Sequence, residues 1–306
     1  MAAALKFTYL QDETTLSKTH GVPIVDYVRL FNLDGVGVDQ ARFLAELGPS
    51  FADLPWDTYD LKLEQTHYLA RCFPSEKKRI DQWHNDYHVG NVGLEAVADL
   101  IGRLTPERHR KFDELEPFRR RTVSKFELEA KPDGGWSIKR IPARSFAQHV
   151  GAADYRSHVR IFAESAERVT SHPEFLKLLS SLAYMAASIN PQIRKQSITM
   201  HQVSIVTDAD TLGDNSPEGI HQDGSDFIVS ALVVARQGIT GGQSVVYGSD
   251  KTTEYLRHEL KPGEGIFQED KNSTLWHDVT PIHLNREAHA EEGMRNIFGF
   301  DIDVAA

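Results

Sequence analysis

The chain has 306 residues, 40% hydrophobic and 25% charged, with a formal net charge of −10 at pH 7. This is the composition of a soluble globular protein able to bury a substantial core, and its sign argues against an electrostatic nucleic-acid binder, which would carry a basic patch. Cys72 is the single cysteine, so no disulfide framework or cysteine-based zinc site can form within one chain.

The first third reads as mainly helical. Val38 to Leu47 forms a candidate helix ended by Gly48-Pro49, and Pro74-Ser75 opens a second with Ser75 as N-cap. Leu94, Val97, Ile101 and Leu104 follow amphipathic spacing, and Thr105-Pro106 starts a further helix. No stretch approaches the ~20 apolar residues of a membrane span, and residues 1–10 lack a signal-like pattern. A soluble cytoplasmic protein with no membrane or nucleic-acid partner is expected.

From Thr122 the texture changes. Thr122 to Ala130 and Trp136 to Ile141 flank a Pro-Asp-Gly-Gly spacer and predict a hairpin. Helices are predicted over Asp154 to Val169 and Pro173 to Ile189, the second with Phe175, Leu178, Leu179, Leu182 and Met185 on one core-facing stripe. Strands are predicted over Ser197–Thr207, Asp226–Arg236, Gln243–Gly248, Gly263–Gln268, Thr274–Ile282 and Met294–Val304. Together with the hairpin these suffice for a double-sheet jelly roll with helices outside it. The expected class is mainly β with flanking helices: a helical region over 1–117 and a β core over 118–306. The helical region could cover the core, line the substrate entrance or form the face of a homodimer.

Within the β region, Pro217-Glu218-Gly219-Ile220-His221-Gln222-Asp223-Gly224 leads into an apolar run. A His and a carboxylate two apart at the mouth of a strand point the same way, because strand side chains alternate faces. With a distant second His they would make a 2-His-1-carboxylate triad, which leaves coordination positions open and suits non-haem Fe(II). The bare pattern is cheap, since 14 His and 44 acidic residues in 306 produce about two such pairs by chance. His84-Asn85-Asp86 is the internal control: it lies in a polar helical segment, where i and i+2 diverge, and reads as surface or helix end. His277, in Trp276-His277-Asp278-Val279-Thr280-Pro281, supplies the second His several strands later. Arg295 stands early in an otherwise apolar terminal strand. An unpaired buried guanidinium is costly, so unless Arg295 points to solvent a facing carboxylate is expected, from the protein or from a ligand such as 2-oxoglutarate.

In this order, His-x-Asp, His, then Arg, the chain resembles the Fe(II)/2-oxoglutarate dioxygenases, and within them the free-amino-acid hydroxylases of the isoleucine 4-hydroxylase type. The matching pieces are Met200-His201-Gln202-Val203, the segment around His221 and Asp223, Gly241-Gly242-Gln243-Ser244, His277 to Pro281 and Arg295-Asn296-Ile297. The resemblance implies a double-stranded β-helix with His221, Asp223 and His277 binding Fe(II) and Arg295 binding 2-oxoglutarate. It also implies that O2 and 2-oxoglutarate are consumed to succinate and CO2 while an unactivated C–H of a small polar substrate, a free amino acid, is oxidised. Hydroxylation is the default outcome; cyclisation and desaturation stay open. The chain departs from the group at Ser204, where relatives carry Arg, and at Ile297, where the wider superfamily often has Ser, which leaves Thr280 as the hydroxyl to contact the co-substrate. Arg119, Arg120 and Arg121 are then the candidate cations for a substrate carboxylate. Two readings of other kinds remain: a cupin-like metalloenzyme without 2-oxoglutarate, which would not need Arg295, and a non-catalytic jelly-roll binding protein.

Overall fold

Alternation along the last strand shows how this sequence builds its sheet. Phe298, Phe300 and Ile302 point into one core, whereas Arg295, Ile297, Gly299 and Asp301 point to the opposite face. The computed structural model describes residues 8–9, 28–143, 145–147, 159–209 and 211–305.

The N-terminal third contains strands β1 (Thr8–Tyr9) and β2 (Val28–Asn32), then helices α1 (Gln40–Leu47), α2 (Thr58–Cys72) and α3 (Lys77–Val89). Helices α4 (Ala98–Ile101) and α5 (Pro106–Asp113) complete it. Asp57 caps α2 by accepting from Tyr59 N, and Thr105 caps α5 by accepting from Arg108 N. Next come the hairpin β3 (Arg119–Ala130) and β4 (Trp136–Ile141), then α6 (Glu167–Thr170) and α7 (Pro173–Ile189). The remaining strands are β5 (Lys195–Asp208), β6 (Phe227–Gln237), β7 (Ile239–Gly241), β8 (Ser244–Tyr247) and β9 (Glu254–His258). They are followed by β10 (Glu264–Glu269), β11 (Trp276–Val279), β12 (Ile282–Leu284) and β13 (Glu292–Val304).

Eight strands form the main sheet in the order β1-β2-β10-β6-β13-β5-β3-β4, and each neighbouring pair is antiparallel. One face packs on α7 and α1 through Phe43, Phe175, Leu179, Leu182 and Phe298. The other face meets the small sheet β11-β8-β9 at its β6–β10 side, where Ala231, Val233, Val246, Leu256 and Ile266 share a second core. Beside that contact, β3, β5 and β13 are left facing an open cleft. The chain is thus mainly β with flanking helices. Among the described residues, no helix is long and apolar enough to cross a membrane.

Several expectations are corrected. Ser75 does not cap α3: it lies inside a 3-10 turn, and the residue before the helix, Glu76, makes no side-chain cap. The Leu94–Leu104 stripe is broken into a 3-10 turn and the short α4, and its apolar residues bury against Ile80 and Trp83. Residues 154–158 of the predicted Asp154–Val169 helix lie outside the described residues. The rest is helical only over α6, because Arg160 pairs with Phe146 and Ala163 O accepts from Val123 N, holding this stretch extended along β3. The predicted Thr274–Ile282 strand is two, β11 and β12, split at Thr280-Pro281.

His84 is also corrected. It is buried rather than on the surface, with Nδ1 2.9 Å from Thr66 Oγ1 of α2, whereas Asp86 is exposed on the other side of α3. Losing a buried hydrogen-bond partner costs about 1–3 kcal/mol. His84→Ala should therefore lower unfolding stability by that order in denaturant titration while leaving turnover near the parent value.

Candidate active site

Loop 216–226 carries His221 and Asp223, and β11 carries His277. His221 and His277 are tied by two reciprocal backbone hydrogen bonds, each 3.0 Å, which fix the spacing of the two imidazoles before any ligand is considered. Asp223 converges on them for a different reason from the pleat alternation expected above, since β6 starts only at Phe227. The loop turns back at Gly224, whose φ of +90° suits glycine, and the buried Asp270 carboxylate accepts from the backbone N–H groups of Asp223, Gly224 and Ser225 at 3.2, 2.6 and 3.1 Å. Gln222 adds a second brace by donating from Nε2 to Asp270 O and Leu275 O. Burial, with the charge of Asp223 beside it, pushes the Asp270 carboxyl up to about 6.

The three side chains come together as a ligand set. One donor atom from each of His221, Asp223 and His277 lies within 4.8 Å of the others. His221 Nδ1 donates to Gly219 O at 2.7 Å, so its Nε2 carries a lone pair. That lone pair faces Asp223 Oδ1 at 3.4 Å and Glu218 Oε1 at 3.2 Å, while Asp223 Oδ2 stands 3.4 Å from His277 Nε2. Electron-rich atoms pointed at one spot call for a cation there. Burial would raise the Asp223 carboxyl, but positive charge at this spot, such as protonated His277 and His221 carry, holds it well below the usual carboxylate range. Two imidazole nitrogens and one carboxylate oxygen suit Fe(II), with positions left for other ligands.

Arg295 sits on the same cleft, fully buried on β13. Nη1 donates to Asn215 Oδ1 at 2.9 Å, and Asn215 is itself oriented by donating to Thr280 O at 3.0 Å. The expected facing carboxylate is absent among the described residues: Arg295 Nε and Nη2 are buried with no hydrogen-bond partner. Burial and the nearby Arg236 push this guanidinium down to about 9. Thr280 is not on the cleft wall; its hydroxyl accepts from Gln243 N at 2.9 Å, so it supports the site through Asn215 instead of reaching the cleft.

The arginine triplet divides by strand alternation. Arg119 and Arg121 line the cleft, and Arg120 lies on the other face, stacked over Trp56 with its guanidinium carbon 4.3 Å from the ring centre. Arg119 is paired with Asp60 at 3.1 Å. Ser204 is paired in register with Arg120 and likewise faces away from the cleft, so neither stands on the substrate side. Sequence reasoning missed Asn215, Asp270, Asp301 and the cleft-lining Arg160. The first two sit in polar turn-like stretches with no signal to mark them; Asp301 alternates with Arg295 and could have been found from that.

The cleft encloses about 890 Å3, its open mouth included. A family model described as 2OG-Fe dioxygenase matches residues 98–301. Among solved structures, a BsmA homologue from Methylobium petroleophilum PM1 superposes with a TM-score of 0.53 at 21% identity, over 71% of this chain and 84% of that one. IDO from Bacillus thuringiensis superposes with a TM-score of 0.50 at 15% identity, over 62% of this chain and 76% of that one. At such identities these likenesses speak for the fold alone. A search of curated proteins finds no match. With two thirds of its length matched, from residue 98 to 301, the chain belongs to the 2OG-Fe dioxygenase family and is a non-haem oxygenase that uses Fe(II), 2-oxoglutarate and O2.

Proposed function

We propose that His221, Asp223 and His277 hold the Fe(II), that Arg295 takes the distal carboxylate of 2-oxoglutarate, and that the substrate is a free amino acid, hydroxylated by default. The observation that carries this is the position of Arg295. A fully buried guanidinium with two unpartnered nitrogens opens onto the same cleft as the three ligand side chains. A planar, bidentate carboxylate is the group that would satisfy it. Bound iron supplies the oxidising chemistry, in which 2-oxoglutarate is decarboxylated to succinate and CO2 and a substrate C–H is oxidised.

The protein's own residues do the placing. Reciprocal backbone bonds space the two imidazoles, Gly219 O sets the His221 tautomer, and Asn215 aims Arg295. Val203, Ile205 and Ile297 line the cleft beside Arg295, an apolar patch that limits water where the co-substrate would lie. We read residues 118–306 as the double-stranded β-helix core, and 1–117 as a mainly helical region over it that lends β2 to the sheet. A cytoplasmic location and a homodimer remain part of this reading.

Substrate class is tested by succinate release with free aliphatic amino acids against their N-acetyl and methyl-ester forms. Free forms should stimulate release and blocked forms should not. Equal turnover of blocked forms would remove the amino-acid assignment, and activity confined to peptides would replace it.

A further inference from the structure

Two opposite charges stand on one wall of the cleft without meeting. Arg121 Nη2 donates to His201 Nδ1 at 2.7 Å, and His201 Nε2 lies 2.9 Å from Asp301 Oδ2. Because arginine can only donate, Nδ1 accepts and Nε2 carries the proton, so a neutral imidazole separates guanidinium from carboxylate. Burial and the charge of Arg121 hold His201 well below the usual histidine range, in keeping with a neutral spacer.

Among the described residues neither group has an opposite charge within ion-pair distance. Among the described residues no carboxylate lies within ion-pair distance of Arg121, whose other neighbours are the rings of Phe146 and Phe162, and its Nε is buried without a hydrogen-bond partner. Arg119, by contrast, has Asp60. Asp301 is buried, and among the described residues its one ion-pair-range neighbour is the neutral His201. Burial pushes the Arg121 guanidinium down to about 10, and an opposite charge placed beside it would relieve that.

A third observation points to a ligand in front of this wall. Gly299 is opposite His201 in register and lines the cleft. A Cβ there would meet Val229 O at 3.7 Å and His201 Cβ at 3.8 Å, ordinary contact distances, so the strand's own packing does not demand glycine at this position. Glycine within a strand often marks close approach by a ligand.

We propose that Arg121 and Asp301 are the two halves of a recognition site for the charged head of a free α-amino acid, with His201 as spacer and Gly299 as floor. The carboxylate lies on Arg121 and the ammonium on Asp301. One imidazole width with a hydrogen bond at each side separates the two protein groups, comparable to an amino-acid head with a hydrogen bond at each end. Arg160, its guanidinium carbon 5.2 Å from the Phe146 ring centre, adds positive potential on the carboxylate side. This rests on the free-amino-acid reading above and adds the residues that would read the head.

The test uses the enzyme loaded with Fe(II) and 2-oxoglutarate and compares L-leucine, L-isoleucine and L-methionine with their 2-hydroxy-acid counterparts, which lack the ammonium. The parent should favour amino acid over hydroxy acid in kcat/KM, and Asp301→Asn should reduce that preference at least about tenfold, as expected when a charged partner is lost. The KM for 2-oxoglutarate should not change, which a merely structural role for Asp301 would not guarantee. Gly299→Val should raise the amino-acid KM at least about tenfold by filling the space. An unchanged preference in folded Asp301→Asn overturns the assignment; if that variant does not fold, an unchanged KM in Gly299→Val does so. If no amino acid stimulates the parent enzyme, the substrate reading itself fails and this site falls with it; turnover with an unaltered preference removes the site alone.

Discussion

Asp223→Ala should abolish substrate-dependent succinate release, with His221→Ala and His277→Ala behaving alike. Losing even a residue that merely supports a metal ligand typically costs 10–100-fold, so loss of a ligand should exceed about 100-fold. The fold should survive Asp223→Ala. The imidazoles remain pinned by the His221–His277 backbone pair, and Asp270 binds the loop through main-chain N–H groups that alanine retains. Paired measurements of turnover and of Fe(II) binding under anaerobic conditions separate the outcomes. Full activity in a folded Asp223→Ala protein would remove the facial-triad assignment.

Arg295→Ala carries the second large effect. Breaking one side of a desolvated charge pair costs about 2–5 kcal/mol. At about 1.4 kcal/mol per tenfold, the 2-oxoglutarate requirement should rise at least tenfold. The ligand-free protein should behave differently from the bound one. Its guanidinium is buried with two nitrogens unpartnered, so removing the charge relieves a desolvation cost, although alanine leaves a void. Arg295→Met fills that void and should leave ligand-free thermal stability equal to or above the parent's. The stabilisation that 2-oxoglutarate confers on the parent, about 2.7 kcal/mol at a hundred times Kd, should be lost in both variants. An unchanged 2-oxoglutarate requirement in a folded variant would mean that another cation holds the co-substrate.

The parts legible in the sequence were those governed by short-range pattern. Helix α7 matches its prediction because Pro173 begins it and one apolar stripe runs its length. The terminal strand was readable because a single arginine breaks an apolar alternation. Helix α2 was missed because its inward positions include Asp60 and Thr66 beside Leu63 and Leu69, so burial there does not follow hydrophobicity. Asp60 is inside because it holds Arg119 and the N–H groups of Phe118 and Arg119, a tertiary reason no local window contains. The same applies at the site. His221, Asp223 and His277 could be picked out as residues able to ligate a metal, but Asp270, which bends the loop to bring Asp223 in, looks like any turn aspartate until the strands are folded. The Arg119-Arg120-Arg121 triplet carried too little information for the opposite reason: three equal residues have one composition and two facings.

Strand β2 has a bearing on more than catalysis. It lies outside the segment matched by the family, yet it is hydrogen-bonded along β10 from Val28 to Asn32, and Arg29 anchors it by donating to Met185 O and Ser188 Oγ of α7. Without it, the largely buried β10 would present a bare row of N–H and C=O groups, the kind of edge onto which another chain can polymerise. A chain trimmed to the family boundary should therefore bare that edge and be prone to aggregate even with His221, Asp223 and His277 in place.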